Sequence, residues 1–161
     1  MPFFSNTSKK KLSTCHEDLQ LICNCAIHDN DFSVICGHRS ENEQFALFTR
    51  GRKLENGVWI IDNRDEIVTY KDGINNKSEH NYFPSKAMDL VKWFKDKPHI
   101  RWNDKNSFFE LNNVLQAHAN FLYNTGKISH RLIWGGIWKM RDDGHWQLSK
   151  GVNYEKKMSG K

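Results

Sequence analysis

The chain has 161 residues, 38% hydrophobic and 12% aromatic, which is enough for one domain with a real core and too few for two large ones. No run of about 18 apolar residues is present to span a bilayer. The N-terminal MPFFSNTSKKKLS has its lysines after a Phe-Phe pair with no apolar segment following, so synthesis in the cytoplasm without an export signal and no stable membrane insertion are expected. A formal charge of +5 and an isoelectric point near 9.0 suit a polyanionic neighbour: nucleic acid, anionic lipid or an acidic cell wall. The basic clusters are Lys9 to Lys11 and a tail with Lys150, Lys156, Lys157 and Lys161. Neither is interleaved with aromatics, which argues against a nucleic-acid partner.

In chain order, Thr14 and Glu17 read as a capping box for a first helix carrying Cys15, Leu19, Ile22, Cys23 and Ala26 at helical spacing. Asp31 to Cys36 reads as a short buried strand ended by Gly37, and Ser40 with Glu43 opens a second helix from about Glu41 to Thr49. Residues 51 to 77 hold two β-rich patches, Val58 to Ile61 and Glu66 to Tyr70, which predict an inserted hairpin. A long helix is predicted from the spacing of Phe108, Leu111, Leu115, His118 or Ala119 and Leu122, closed by Gly126. Arg131 to Trp134 and His145 to Ser149 are two further strands. Strands and helices alternate irregularly, which predicts a single α+β domain with a small antiparallel sheet flanked by helices. The four cysteines, Cys15, Cys23, Cys25 and Cys36, read as free thiols, since Cys23 and Cys25 form C-x-C with no second pair to complete a zinc site.

His80 stands nine positions before Asp89, with Pro84 between them. Proline argues against one continuous helix, so a loop must bring the two together if they meet. A catalytic zinc site commonly takes three N and O ligands and leaves a position for water, with a carboxylate nearby to take the proton. His80, Asp89 and His145 can supply the ligands, Asp142 the carboxylate and Arg39 a cation for an oxyanion. Each also has a bland reading: a loop histidine, a strand-end carboxylate, an Asp-Asp-Gly turn, a solvated or paired arginine.

The pieces STCHEDLQ, DFSVICGHRSENEQ, VTYKDGINNKSEHNYFPSKAMDL, WGGIW and DDGHWQL follow one another in an order that resembles phage endolysins of the L-alanyl-D-glutamate peptidase type. They are similar to the wider zinc peptidase family that includes D-alanyl-D-alanine carboxypeptidases and shares its fold with the hedgehog signalling domain. The resemblance spans about residues 12 to 149, leaving a basic tail over 150 to 161. It implies Zn2+ held by His80, Asp89 and His145, a catalytic carboxylate at Asp142, and a substrate-orienting Arg39. It further implies a peptidoglycan stem peptide as substrate, host wall lysis as outcome, a host-cytoplasmic enzyme released through a holin-type pore, and action as a monomer. Two positions depart from the family's pattern: Ile137 stands at the acidic position of W-G-G-D-W, and His145-Trp146-Gln147-Leu148 stands for H-F-E-L. The rival readings are a D-alanyl-D-alanine carboxypeptidase of the same family and a zinc-containing binding module without catalysis.

Overall fold

The computed structural model describes residues 1–150, so Lys156, Lys157 and Lys161 of the basic tail lie outside the described residues. The elements run α1 (Asn6–Leu12), α2 (Glu17–Ala26), β1 (Phe32–Cys36), α3 (Glu41–Phe48), β2 (Arg52–Glu55), β3 (Val58–Ile61), β4 (Ala87–Lys92), α4 (Lys105–Asn124), β5 (Leu132–Trp134) and β6 (His145–Leu148). Four strands form one antiparallel sheet in the order β1-β4-β6-β5, and β2 pairs with β3 in a separate hairpin. The predicted α+β class holds. Among the described residues no helix is long and apolar enough to cross a membrane.

Side chains alternate between the faces of a strand, and the sheet uses the two faces differently. Phe32, Val34, Met88, Leu90, Trp146 and Leu148 are buried in the core. Against them α4 buries Phe108, Leu111, Leu115, Ala119 and Leu122 at helical spacing, and α2 packs on α4 with Leu19, Ile22, Cys23 and Ala26. Trp146 Nε1–H donates to Asn112 Oδ1 of α4 at 3.1 Å, which satisfies a buried indole and ties sheet to helix. The residues between these core positions, Asp89, His145 and Gln147, fall on the opposite face.

The local structure differs from the sequence reading in three places. Residues 6–12, whose lysine run hides any apolar stripe, form α1: Ser5 accepts from Ser8 N–H at its N-terminus, and Ser8 and Leu12 are buried. The second correction concerns α2, whose N-cap is His16, accepting from Asp18 N–H through Nδ1 at 3.1 Å. Thr14 instead accepts from His38 N–H at 2.8 Å, so Thr14 and Glu17 form no capping box. The third is the hairpin, which joins Val58–Ile61 to Arg52–Glu55 rather than to Glu66–Tyr70. Asn56 and Gly57 both have positive φ, 51° and 80°, the conformation a two-residue Asn-Gly turn requires, and that tight turn folds β3 back on the residues just before it. Glu66–Tyr70 contributes only the end of a 3-10 turn (Arg64–Glu66) and an irregular run. The Ser40–Glu43 capping box of α3 forms as predicted.

Leu115 is fully buried while Phe121, on the same helix, is exposed. Leu115→Ala should lower the unfolding free energy by about 2–5 kcal/mol through lost transfer and a residual cavity, whereas Phe121→Ala should stay within about 0.5 kcal/mol. Urea denaturation with an unchanged slope checks both.

Candidate active site

In the register of β4 on β6, Asp89 lies opposite His145, with Met88 opposite Trp146 and Ala87 opposite Gln147. Leu90 N–H donates to Gly144 O and Leu148 N–H to Lys86 O, at 2.8 and 2.9 Å. Asp89 and His145 are therefore a non-hydrogen-bonded pair, the closer of the two antiparallel arrangements. On the other side, β1 carries a bulge between Val34 and Cys36 that sets Cys36 opposite Asp89, so Cys36 faces the same site.

His80 arrives from outside the sheet, on a 3-10 turn (Glu79–Asn81) capped by Ser78. Three backbone hydrogen bonds press this turn and the following loop onto the chain: Arg39 N–H to His80 O at 2.9 Å, Ser85 N–H to Thr14 O at 2.8 Å and His16 N–H to Ser85 O at 2.8 Å. The loop between His80 and Asp89 thus does what the proline requires. His80 is 1% exposed, and its Nδ1–H donates to Gly37 O at 2.7 Å, which leaves Nε2 for the site. His145 Nε2–H donates to Gln147 Oε1 at 2.9 Å, which leaves Nδ1. These two nitrogens and Asp89 Oδ1 form a triangle of 3.1, 3.2 and 3.2 Å. Ligands at zinc distance in a tetrahedron stand about 3.3 Å apart, so the donor set matches that ion in type and spacing.

Arg39 Nη2 donates to the other carboxylate oxygen, Asp89 Oδ2, at 3.1 Å, and Nη1 donates to the buried Gln44 Oε1 at 2.8 Å. Gln44 in turn donates to Lys71 O at 2.9 Å, so one amide connects α3, the arginine and the segment after the hairpin. Asp142 joins Arg39, His80, Asp89 and His145 around one cavity of about 210 Å³. Its backbone is held by Asp142 N–H to Gly135 O at 3.0 Å and His145 N–H to Asp142 O at 3.3 Å. A side chain at Gly135 would lie 2.6 Å from Asp142 O, so the glycine permits this approach. Asp143 does not line this cavity and pairs with Arg141 Nε at 2.6 Å. All five sequence-predicted site residues therefore meet at one place.

Charge in the site is balanced unevenly. Burial disfavours a charged His80 ring, but hydrogen bonding to Asp89 and Cys36 outweighs it and raises its pKa to about 9. Burial also pushes the Asp89 carboxyl up, and hydrogen bonds from His145 and His80 overcome that and hold it below the usual carboxylate range. At Asp142, desolvation by the cavity walls exceeds the opposing pull of His145; together with the charge of Asp89 it raises the pKa. Two imidazole nitrogens and a carboxylate oxygen this close need a cation among them, whether a proton or a metal ion.

Cys36 was not foreseen as a neighbour of the site, because a bulge has no signature in this stretch. Cys36, His80 and Asp89 each present a possible ligand atom within 4.8 Å of the others. Trp138, quoted only as part of a motif, lies with its ring centroid 5.2 Å from that of His145 and shields it. The two departures from the family's pattern also find physical accounts. Gln147 accepts the His145 hydrogen bond as a neutral amide, keeping the ring's orientation without a second charge. Ile137 is 78% exposed on a 3-10 turn (Gly135–Ile137), so an aliphatic side chain there leaves no buried polar group unpaired.

No protein-family model and no curated protein sequence matches the chain. Its structure is similar to the crystal structure of the Serratia marcescens L-Ala D-Glu endopeptidase ChiX, with a TM-score of 0.63 at 20% sequence identity over 92% of this chain and 91% of that one. The fold of the chain is that of this endopeptidase.

In chelator-treated protein the His80 ring should titrate near pH 9. Its folded pKa lies above its unfolded value, so the stability it contributes is complete below about 6.5 and is lost as pH rises through about 9. Asp89→Asn should bring the titration back toward the ordinary range and flatten that loss, as read by imidazole NMR and by urea midpoints from pH 6 to 10.

Proposed function

We propose that the chain is a zinc-dependent peptidoglycan endopeptidase that hydrolyses the L-alanyl-D-glutamate bond of the stem peptide. The observation carrying this reading is the convergence of His80 Nε2, His145 Nδ1 and Asp89 Oδ1 beside Asp142, in a fold similar to that of an L-Ala D-Glu endopeptidase. His80, His145 and Asp89 would hold the ion. When bound, zinc supplies a Lewis acid that polarises the scissile carbonyl and makes water a nucleophile at neutral pH.

The chain's own groups do the rest. Asp142, open to solvent yet desolvated enough to have a raised pKa, accepts the proton of the attacking water and returns it to the leaving amine. Arg39 holds Asp89 through Oδ2 and sets a positive charge on the cavity wall where the oxyanion develops. Gly37 O and Gln147 Oε1 fix the tautomers and ring planes of the two histidines. The reaction centre adjoins a groove of about 700 Å³ lined by residues 67 to 69 and Lys71 together with Trp138 and residues 140 to 142. An open groove favours a substrate that extends past the cut on both sides. Arg39, engaged by Asp89 and Gln44, is poorly placed to capture a terminal carboxylate, which weighs against the carboxypeptidase reading. On the sequence resemblance alone, we extend this proposal to a lytic enzyme of phage type, acting as a monomer and reaching the wall from the host cytoplasm through a holin-type pore.

Purified protein should carry about one zinc per chain, lost in His80→Ala, Asp89→Ala and His145→Ala. Asp142→Asn should keep fold and zinc and lose at least about 100-fold in rate, with Asp143→Ala close to wild type. Cys36→Ser should also keep the zinc; loss of the metal in that variant would indicate a closed, four-ligand structural site and favour the non-catalytic module. Elemental analysis and turnover on purified peptidoglycan read these outcomes. Digestion should expose new amino-terminal D-glutamate or D-isoglutamine, found by amino-terminal labelling, without accumulation of free D-alanine. D-alanine released from a pentapeptide with no new D-glutamate terminus would select the carboxypeptidase.

A further inference from the structure

Beyond the reaction centre, a second cavity of about 320 Å³ is lined by His16, His130, Lys86 and Lys150, with Tyr82 as one wall. Its lining carries the ammonium groups of Lys86 and Lys150 against the single carboxylate of Glu79. His16 and His130 meet edge to face with ring centroids 5.1 Å apart, and both are fixed from behind by Asp18, which is 4% exposed. Asp18 Oδ2 accepts from His130 Nδ1 at 2.8 Å and from the N–H groups of Ser129 and His130 at 2.9 and 3.0 Å. His16 Nδ1 accepts from Asp18 N–H, so its proton is on Nε2. Among the described residues no hydrogen bond takes up either Nε2. Lys86 Nζ lies 4.1 Å from the centroid of the Tyr82 ring, which holds the ammonium at the cavity wall. Asp18 Oδ2 is thus engaged by the backbone and ring of residues 129 and 130, leaving the His16 Nε2–H and the two ammonium groups as donors for a ligand. His16, Asp18 and His130 also lie close enough to suggest a metal site, but His16 Nδ1 is engaged by Asp18 N–H and Asp18 Oδ2 by three donors, so only His130 Nε2 keeps a free nitrogen lone pair there, while the two ammonium groups of the cavity suit an anion.

The cavity is continuous with the substrate groove, because Glu79 and Lys150 line both. His145 at the reaction centre and Leu148 in the second cavity are the two ends of β6. Three steps of about 3.3 Å separate them by about 10 Å, the length of about three extended substrate residues.

We propose that the His16, His130, Lys86 and Lys150 cavity is a subsite that binds a carboxylate of the stem peptide about three residues beyond the scissile amide on its carboxyl side. This rests on the peptidase reading for the identity of the chain that carries the carboxylate. Glu79, the one acidic residue lining the cavity, stands with Lys150 at the junction with the groove, and Lys86 lines only the cavity. The subsite makes the enzyme prefer a stem peptide with a free terminal carboxylate over one whose terminus is amidated or extended.

The probe is D-γ-glutamyl-L-lysyl-D-alanine, a product-side peptide that the enzyme does not cut, used as free acid and as C-terminal amide against the zinc-loaded protein. The free acid should bind at least about tenfold tighter than the amide, the scale of a charge-assisted hydrogen bond, and should move the imidazole signals of His16 and His130. In the Lys86→Gln/Lys150→Gln double variant the difference should fall to within about twofold, while the stability of the protein stays unchanged. Equal affinities in the wild type, a difference that survives in the double variant, or unmoved His16 and His130 signals would each overturn the subsite. Inorganic phosphate moving those signals while the carboxylate does not would overturn it in favour of a phosphate-bearing wall polymer. Cleavage of peptidoglycan by the same preparations separates the two claims: cleavage without the carboxylate preference sinks only the subsite. The preference without cleavage leaves the subsite standing and sinks the peptidase reading.

Discussion

The pairing of Asp89 with His145 across β4 and β6 is the constraint on which the site depends. Side chains alternate along a strand, so the register that sets Met88, Leu90, Trp146 and Leu148 in the core also sets Asp89, His145 and Gln147 on the opposite face. A slip of one residue would bury the carboxylate and the imidazole and expose Trp146. Core packing against α4 therefore holds the geometry of the site, and the hydrogen bond from Trp146 to Asn112 adds a directional lock to a contact that is otherwise only apolar.

His80 completes this pair from a loop, and a loop residue needs other means of precision. Its ring is almost fully buried, its Nδ1–H is committed to Gly37 O, and its backbone carbonyl accepts from Arg39. The segment that carries Arg39 is thus the segment that holds His80, and Arg39 then reaches the far oxygen of Asp89. The arrangement has two consequences. One oxygen of Asp89 stays free to face the two imidazole nitrogens, and the carboxylate remains ionised despite its surroundings. Asp142 receives no comparable support and is pushed toward proton uptake. Two carboxylates in one cavity are driven in opposite directions, the condition for one to act as ligand and the other as proton carrier.

Around this centre the chain builds a groove from parts with no role in the core. Residues 67 to 71 have β-rich composition but no strand partner among the described residues; the side chain of Gln44 holds them against α3 instead. Trp138 and the turn before it cover His145 from the other wall. Ile137 sits at the surface of that turn, so the site tolerates a change of residue there while Gly135 beside it has no room for a side chain. The groove continues past Gln147 to the cationic cavity fixed by Asp18, where His16 serves both as the N-cap of α2 and as a wall.

Local signals in the sequence were sufficient for whatever local energetics decide. The stripe Phe108, Leu111, Leu115 and Leu122 specifies α4, Ser40 with Glu43 specifies the start of α3, and Pro84 requires a loop between His80 and Asp89, because helical periodicity, capping and proline sterics act within a few residues. The five site residues were legible by resemblance, and the structure brings them together. Three features depended on partners far along the chain. Glu66–Tyr70 has strand-forming residues, but the Asn56-Gly57 turn gives β3 its partner first, an outcome of turn geometry that β-propensity does not contain. Thr14 has the composition of a cap, yet its hydroxyl is taken by His38 N–H, and His16 caps α2 instead. Cys36 reaches the site only because β1 bulges against β4. By itself the sequence determined the strongly periodic elements, the loop and the chemical types in the site. Register, bulge and hydrogen-bond partner were decided by the tertiary structure, since each is a competition between distant groups for the same backbone or side-chain atoms.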